Sequence, residues 1–152
     1  MKTIPLKNNN GIIFNLNIPE DYVKIPLPYF KEWTEALDSG EYSQTQSRLC
    51  WIRDSVKSYC CLGVLSKVQN RLSADVSDGI NGSFCYLSND NPNYSFLSSC
   101  GNFPNGITVT PTESTLDAFK SLVDLNDNGL PFSEISKVIK EIWKEESLDN
   151  MQ

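Results

Sequence analysis

Apolar side chains at Phe132, Ile135, Val138, Ile139, Ile142 and Trp143 recur every three or four residues, while Lys137, Lys140, Glu141, Lys144 and Glu145 fill the positions between them. That spacing gathers the apolar groups on one stripe of an α-helix and the charges on the other, so this part of the chain has to lay a helix against a core. A shorter set, Leu116, Phe119, Leu122 and Val123, precedes it, with Ser114 or Thr115 placed to cap its start and Asp127-Asn128-Gly129 to make the turn. Together they predict a carboxyl-terminal αα-hairpin.

The amino-terminal end follows a different period. Ile12, Phe14, Leu16 and Ile18 alternate with Ile13, Asn15 and Asn17, the pattern of a half-buried strand. Pro19, Pro26 and Pro28 punctuate a connector, and a helix is expected from near Pro28, with Phe30, Trp33, Ala36 and Leu37 on one face and Gly40 closing it. Residues 41–58 read as a loop with one short strand around Leu49–Ile52. A second helix is expected over Tyr59–Leu72, with Cys61, Leu62, Val64, Leu65 and Val68 inward. Ser83–Leu87 and Ile107–Thr110 are strand candidates, and residues 88–106 between them have no clear period. Because strands and helices do not alternate as βαβ units, the fold class is α+β. The 152 residues make a single domain, 1–152, with three to four helices on a small, mostly antiparallel sheet.

Composition narrows the function. No run approaches the roughly 18 apolar residues of a membrane span, and Met1–Gly11 has no apolar core of the kind a secretory signal needs, so neither is expected. A net charge of −6 argues against general nucleic-acid binding and is too mild for a mimic of DNA. Histidine is absent, which removes the Ser-His-Asp triad, the Cys-His pair and the HExxH zinc site, and shifts the expectation from enzyme to binding protein. Five cysteines, an odd number without zinc spacing, suit reduced thiols in a cytosol. The adjacent Cys60 and Cys61 are expected to be small buried groups opening a helix.

Two clusters have chemical potential. Asp124-Leu125-Asn126-Asp127-Asn128-Gly129 begins like a calcium loop, but Ile135 stands where the bidentate Glu belongs, so the segment reads as an interhelical turn. No metal and no cofactor are expected, and neither GxGxxG nor GxxxxGK[ST] occurs. Residues 48–71 hold Arg48, Arg53, Lys57, Lys67 and Arg71 against the single acid Asp54, a net +4 that leaves the rest of the chain at −10. Guanidinium groups match phosphate, and Trp51 and Tyr59 in the same stretch, with Tyr42 just before it, are the aromatic parts that hold a nucleobase. Trp33 and Trp143 read instead as core, because both lie on apolar helix stripes.

Trp33, Ala36-Leu37-Asp38-Ser39-Gly40, Tyr42 and Gln44, then Cys60-Cys61-Leu62-Gly63-Val64-Leu65, then Leu125-Asn126-Asp127-Asn128-Gly129 with Phe132, Glu134 and Ile135, fall in three ordered blocks. They resemble a small family carried by bacteriophages, with the blocks W-x-x-A-L-x-S-G-x-Y-x-Q, C-C-L-G-V-L and L-N-D-x-G-x-S-F-x-x-I. Leu130-Pro131-Phe132-Ser133 departs from the last of these. The resemblance implies a phage or prophage product at work in the host bacterial cytoplasm, where small phage proteins without catalytic machinery often act against host immunity. By analogy with that class, the expected function is to bind and sequester a nucleotide-derived signal, cyclic or derived from ADP-ribose, without cleaving it. Arg48, Arg53 and Lys57 are expected to hold its phosphates, and Tyr42 and Trp51 to stack its base. Gln44 and Asn126 would read polar edges and Asp127 would accept from a hydroxyl or amine. Burying such a ligand calls for a lid, with residues 88–106 the candidate, or for a second subunit, so a homodimer or larger homo-oligomer is expected. The alternatives are a protein inhibitor of a host defence enzyme, and a histidine-free enzyme that degrades the signal.

Overall fold

The computed structural model describes residues 1–46, 50–53, 56–69, 76–77, 83–84, 93–112 and 118–146. Along them run β1 (Lys2–Lys7), β2 (Ile13–Ile18), β3 (Ile25–Leu27), α1 (Phe30–Asp38), β4 (Ser43–Gln44), β5 (Cys50–Arg53), β6 (Val56–Tyr59) and α2 (Cys61–Val68). Then follow β7 (Val76–Ser77), β8 (Ser83–Phe84), α3 (Tyr94–Ser98), β9 (Thr108–Pro111), α4 (Leu122–Asp127), α5 (Phe132–Ile142) and β10 (Trp143–Glu145).

Period two at the amino end does build a strand. In β2, Phe14, Leu16 and Ile18 are buried, and β1 pairs with it antiparallel so that Ile4 faces Leu16 and Leu6 faces Phe14. β1 itself carries too few apolar residues to announce a strand. It forms because β2 offers a ladder, and Pro5, which has no N–H to give, is tolerable on this outer edge. On the other side β2 pairs antiparallel with β9, giving the order β1-β2-β9. Asn8 closes the β1–β2 turn through Oδ1, which accepts from the N–H of Asn10 and of Ile12, both at 2.9 Å.

A second sheet has the order β4-β6-β5-β8-β7, antiparallel except for the parallel β4–β6 pair, and a two-stranded parallel pair joins β10 to β3. Five helices among the described residues pack on these sheets as a single compact α+β domain. Its core includes Leu16, Trp33, Leu65, Leu125, Ile135, Ile139 and Ile142, all fully enclosed. Two exposed ion pairs, Lys140–Asp38 at 2.8 Å and Lys2–Glu141 at 3.0 Å, run from α5 to α1 and to β1. At such exposure each contributes about 0–1 kcal/mol.

Several elements depart from expectation. The predicted second helix is shorter at its start, because Tyr59 ends β6 and Cys60 is the cap; Arg71 and Leu72 lie outside the described residues. Of the helix expected from Ser114 or Thr115, the part among the described residues is α4, which starts at Leu122. Phe119 exchanges backbone hydrogen bonds with Val109 at 2.8 and 3.0 Å, and Ser121 caps α4 by accepting from the Asp124 N–H at 3.2 Å. Ser114, Thr115 and Leu116 lie outside the described residues. A β9 edge with unpaired groups took Phe119 out of helical geometry, since a buried backbone group has to find a partner. Trp143 is core, as expected, but not helical: it turns extended and starts β10 opposite Ile25. Inside the stretch without a clear period lies α3, whose Phe96 meets Trp33 and Trp143 edge-on, with ring centroids 5.9 and 5.3 Å apart.

Candidate functional site

The three sequence blocks meet at one side chain. Asn126, at the end of α4, is fully buried. Its Oδ1 accepts from Gln44 Nε2 at 2.9 Å and from the Cys61 N–H at 3.1 Å, and its Nδ2 donates to the Thr45 carbonyl at 2.7 Å. Trp33 Nε1 donates to the Cys61 carbonyl at 2.8 Å, which completes the link from the first block to the second. Two of these partners are backbone groups, so the orientation of the Asn126 amide is fixed by groups that cannot flip.

This arrangement solves a local problem. The first N–H groups of a helix have no partner within it. At α2 the Cys61 N–H is satisfied by Asn126 from another helix, and the Gly63 N–H by Cys60 Sγ at 3.4 Å. Both thiols stay neutral. Burial pushes Cys60 up to about 11 and raises Cys61 well above the ordinary thiol value. Cys61 Sγ donates to the Leu122 carbonyl at 3.8 Å. These are packing and capping groups, consistent with the expected burial of the pair.

The turn after α4 is an interhelical turn in geometry as well as in sequence. Asn126 faces inward to Gln44, Cys61 and Thr45, Asn128 Nδ2 donates back to the Asp124 carbonyl at 2.7 Å, and Gly129 takes a φ of 86° that suits glycine. The β1–β2 turn docks on it: Asn9 N–H donates to the Gly129 carbonyl at 2.9 Å, and Asn8 Nδ2 to the Asn128 carbonyl at 3.3 Å.

Between the two turns and the strand β4 opens a cleft of about 360 Å³, lined by Asn9, Gln44, Thr45, Gln46 and Gly129. Among the described residues its lining is polar and uncharged. It offers hydrogen bonds and no group suited to moving a proton near neutrality.

The expected ligand-binding residues divide between regions. Gln44 and Asn126 come together, but on each other: both hydrogens of Gln44 Nε2 are taken, by Asn126 Oδ1 and by the Leu130 carbonyl at 2.8 Å. Asn126 is therefore a structural residue with no free edge to read a ligand. Asp127 is half-buried beside it, with Oδ1 3.5 Å from Asn126 Nδ2. Tyr42 is half-buried and meets Tyr59 edge-on at 5.5 Å. Lys57 is exposed on β6.

In the β5–β6 ladder Lys57 stands opposite Ile52, whereas Trp51 and Arg53 stand opposite Ser58 and Val56. Successive ladder positions belong to opposite faces, so Lys57 shares a face with Tyr59 and with its β4 partner Gln44, and Trp51 and Arg53 hold positions on the other. By this parity Arg53 and Lys57, both expected to hold the ligand's phosphates, occupy ladder positions of opposite faces. Arg48 lies outside the described residues. Asn9, Thr45 and Gln46 were not singled out from the sequence. Asn9 and Gln46 are 37 positions apart, and isolated neutral amides leave no pattern to find.

Comparison with known proteins adds a family and no chemistry. A family model described as a domain of unknown function, DUF8296, matches residues 29–143, and the chain belongs to that family. Comparisons with curated proteins and with solved structures give no match.

Proposed function

We propose that this member of the DUF8296 family is a phage counter-defence protein that binds and holds a nucleotide-derived signalling molecule without cleaving it. The observation that carries the reading is the neutral, amide-lined cleft at Gln44–Gln46, set where the chain enters its cationic segment. The cleft takes the uncharged part of the ligand. Lys57, exposed, without an ion pair among the described residues and on the ladder face of Gln44, takes a phosphate, with Arg48, two positions after Gln46, as the second cation. Tyr42, on the β4 side of Tyr59, supplies an aromatic edge. Trp51 remains a base-stacking residue and Arg53 a phosphate-holding one in this reading, and because enclosing such a ligand calls for a lid or a second subunit, the reading includes a homodimer or larger assembly. No helix among the described residues is long and apolar enough to cross a membrane, and the proposed place of action is the host bacterial cytoplasm.

Calorimetric titration with cyclic dinucleotides and cyclic ADP-ribose isomers tests the proposal. Heat is expected for at least one, and boiling the complex is expected to release that ligand intact. Release of a cleaved ligand would point to an enzyme. Silence across the panel, with a host protein recovered in a pull-down, would replace the reading with that of a protein inhibitor.

A further inference from the structure

A helix as short as α3 has no stability of its own. It has five residues, its cap Asn93 makes no side-chain capping bond, and Ser95 and Ser98 are poor helix formers. Among its described side chains Phe96 and Leu97 turn inward. Leu97 is buried, and the half-buried Phe96 meets the enclosed rings of Trp33 and Trp143 edge-on. Ser95, Ser98 and Ser99 are exposed. At the start of the helix Asn93 Nδ2 donates to the Pro28 carbonyl at 3.2 Å, a latch to the chain just before α1.

The other end is both strained and pinned. Cys100 has a φ of 60°, a left-handed conformation that a residue with a side chain seldom takes, and Gly101 follows at 66°. A Cβ at Gly101 would lie 3.1 Å from Leu122 Cβ and 3.3 Å from Leu62 Cδ2, so the backbone here is pressed against α4 and α2. The carbonyls of Gly101 and Cys100 accept from the N–H groups of Leu122 and Val123, at 3.1 and 3.4 Å. Rotation about the N–Cα bond of Cys100 therefore moves α3 as a unit, keeps both of those bonds and relieves the left-handed residue. It gives up the bond from the Gly101 N–H to the Phe96 carbonyl at 3.1 Å and the Asn93 latch.

We infer that α3 is a flap, closed in this structure, that opens at Cys100 while the rest of the fold stays intact, and that Phe96 is the plug of an aromatic slot between Trp33 and Trp143. The slot takes a small molecule with a planar aromatic ring, which enters when Phe96 leaves. Ring edges are positive and ring faces negative, so the two near-perpendicular contacts of Phe96, at 80° and 83°, are the ones such a ligand reproduces. Because Phe96 is only half-buried, the slot reaches the surface once the plug is withdrawn. The inference goes beyond the proposed function and uses neither the Gln44 cleft nor the cationic residues.

Native-state hydrogen exchange on the full-length protein tests this by comparing the amides of Leu97, Ser99 and Cys100 with those in the middle of α5. Measured against unstructured peptide, α3 is expected to exchange at least about 100-fold faster than α5, since local opening costs less than global unfolding. Ile135→Val alters a fully enclosed residue of α5 about two turns before Trp143. It is expected to speed α5 exchange by about two- to tenfold and to leave α3 unchanged, because the closed and the open flap share the altered core. Indole at low millimolar concentration is expected to raise α3 exchange at least about twofold, by mass action on the open state, and to make α5 no faster. Exchange of α3 and α5 in step, in the wild type or in Ile135→Val, overturns the inference, and so does indifference of α3 to indole.

Discussion

Asn126 and Lys57 belong to regions that spend polar groups in opposite ways. Around Asn126 the side-chain amide is enclosed and bonded to partners on β4 and at the start of α2. Along β6 Lys57 is exposed, and its neighbour Val56 is 61% exposed, with no enclosing element described over either. Both regions contribute residues to the one functional reading that the residue types invite. The difference teaches that a polar residue type carries no role until its partners are known. An enclosed amide with its bonds made holds elements together, and an exposed charge with no ion pair among the described residues is available to a ligand.

That contrast can be broken most decisively at the buried end. Asn126→Ala strands the Cys61 N–H, Gln44 Nε2 and the Thr45 carbonyl, and at about 1–3 kcal/mol for each unsatisfied group, partly relieved by water, a loss of about 3–5 kcal/mol is expected in chemical denaturation. A loss below about 1 kcal/mol would mean that the three blocks are not tied at this point.

Next in size is an alkaline effect. Burial raises both thiols, Cys60 to about 11 from an ordinary 9.0. A raised folded-state value means that the stabilisation is whole below pH 9 and is lost as pH climbs through the folded value. Between about pH 9 and 11 stability should therefore fall by about 1.4 kcal/mol per pH unit for each thiol. Cys60→Ser keeps a cap for the Gly63 N–H without an ionising thiol, and should remove one thiol's share of the slope. An unchanged slope would place the titration elsewhere.

Trp33→Phe keeps most of the ring's packing but deletes the donor to the Cys61 carbonyl, and about 1–3 kcal/mol is expected from thermal melts. The smallest stability effect belongs to the other region. Lys57→Ala should change stability by less than about 0.5 kcal/mol, as surface substitutions do, while lowering affinity for a phosphorylated ligand at least about tenfold in calorimetry. If instead Lys57→Ala unfolds the protein and Asn126→Ala does not, the assignment of the two regions is reversed.

Most long elements were legible because their periodicity is a direct image of burial. Phe132 to Ile142 had to be a helix with one face inward, and Phe14, Leu16 and Ile18 had to be a strand. What escaped was short or borrowed. Lys2–Lys7 and Val56–Tyr59 are strands because a neighbour supplied a ladder, and Trp143 follows the helical spacing yet pairs with Ile25. At the site, Tyr42, Gln44, Lys57 and Asn126 were picked out by type. The parity that separates Lys57 from Arg53, and the amide of Gln44 spent on Asn126 and the Leu130 carbonyl, exist only after the chain has folded.

Sequence by itself determined the α+β class, the amphipathic faces and the burial of Trp33 and the cysteine pair, since each follows from the free energy of taking apolar surface out of water along a local repeat. The tertiary structure alone decided which polar groups are spent and which are free, because a hydrogen bond between Gln44 and Asn126 joins residues 82 positions apart. Its strength depends on distance and direction in space, and no local pattern along the chain encodes either.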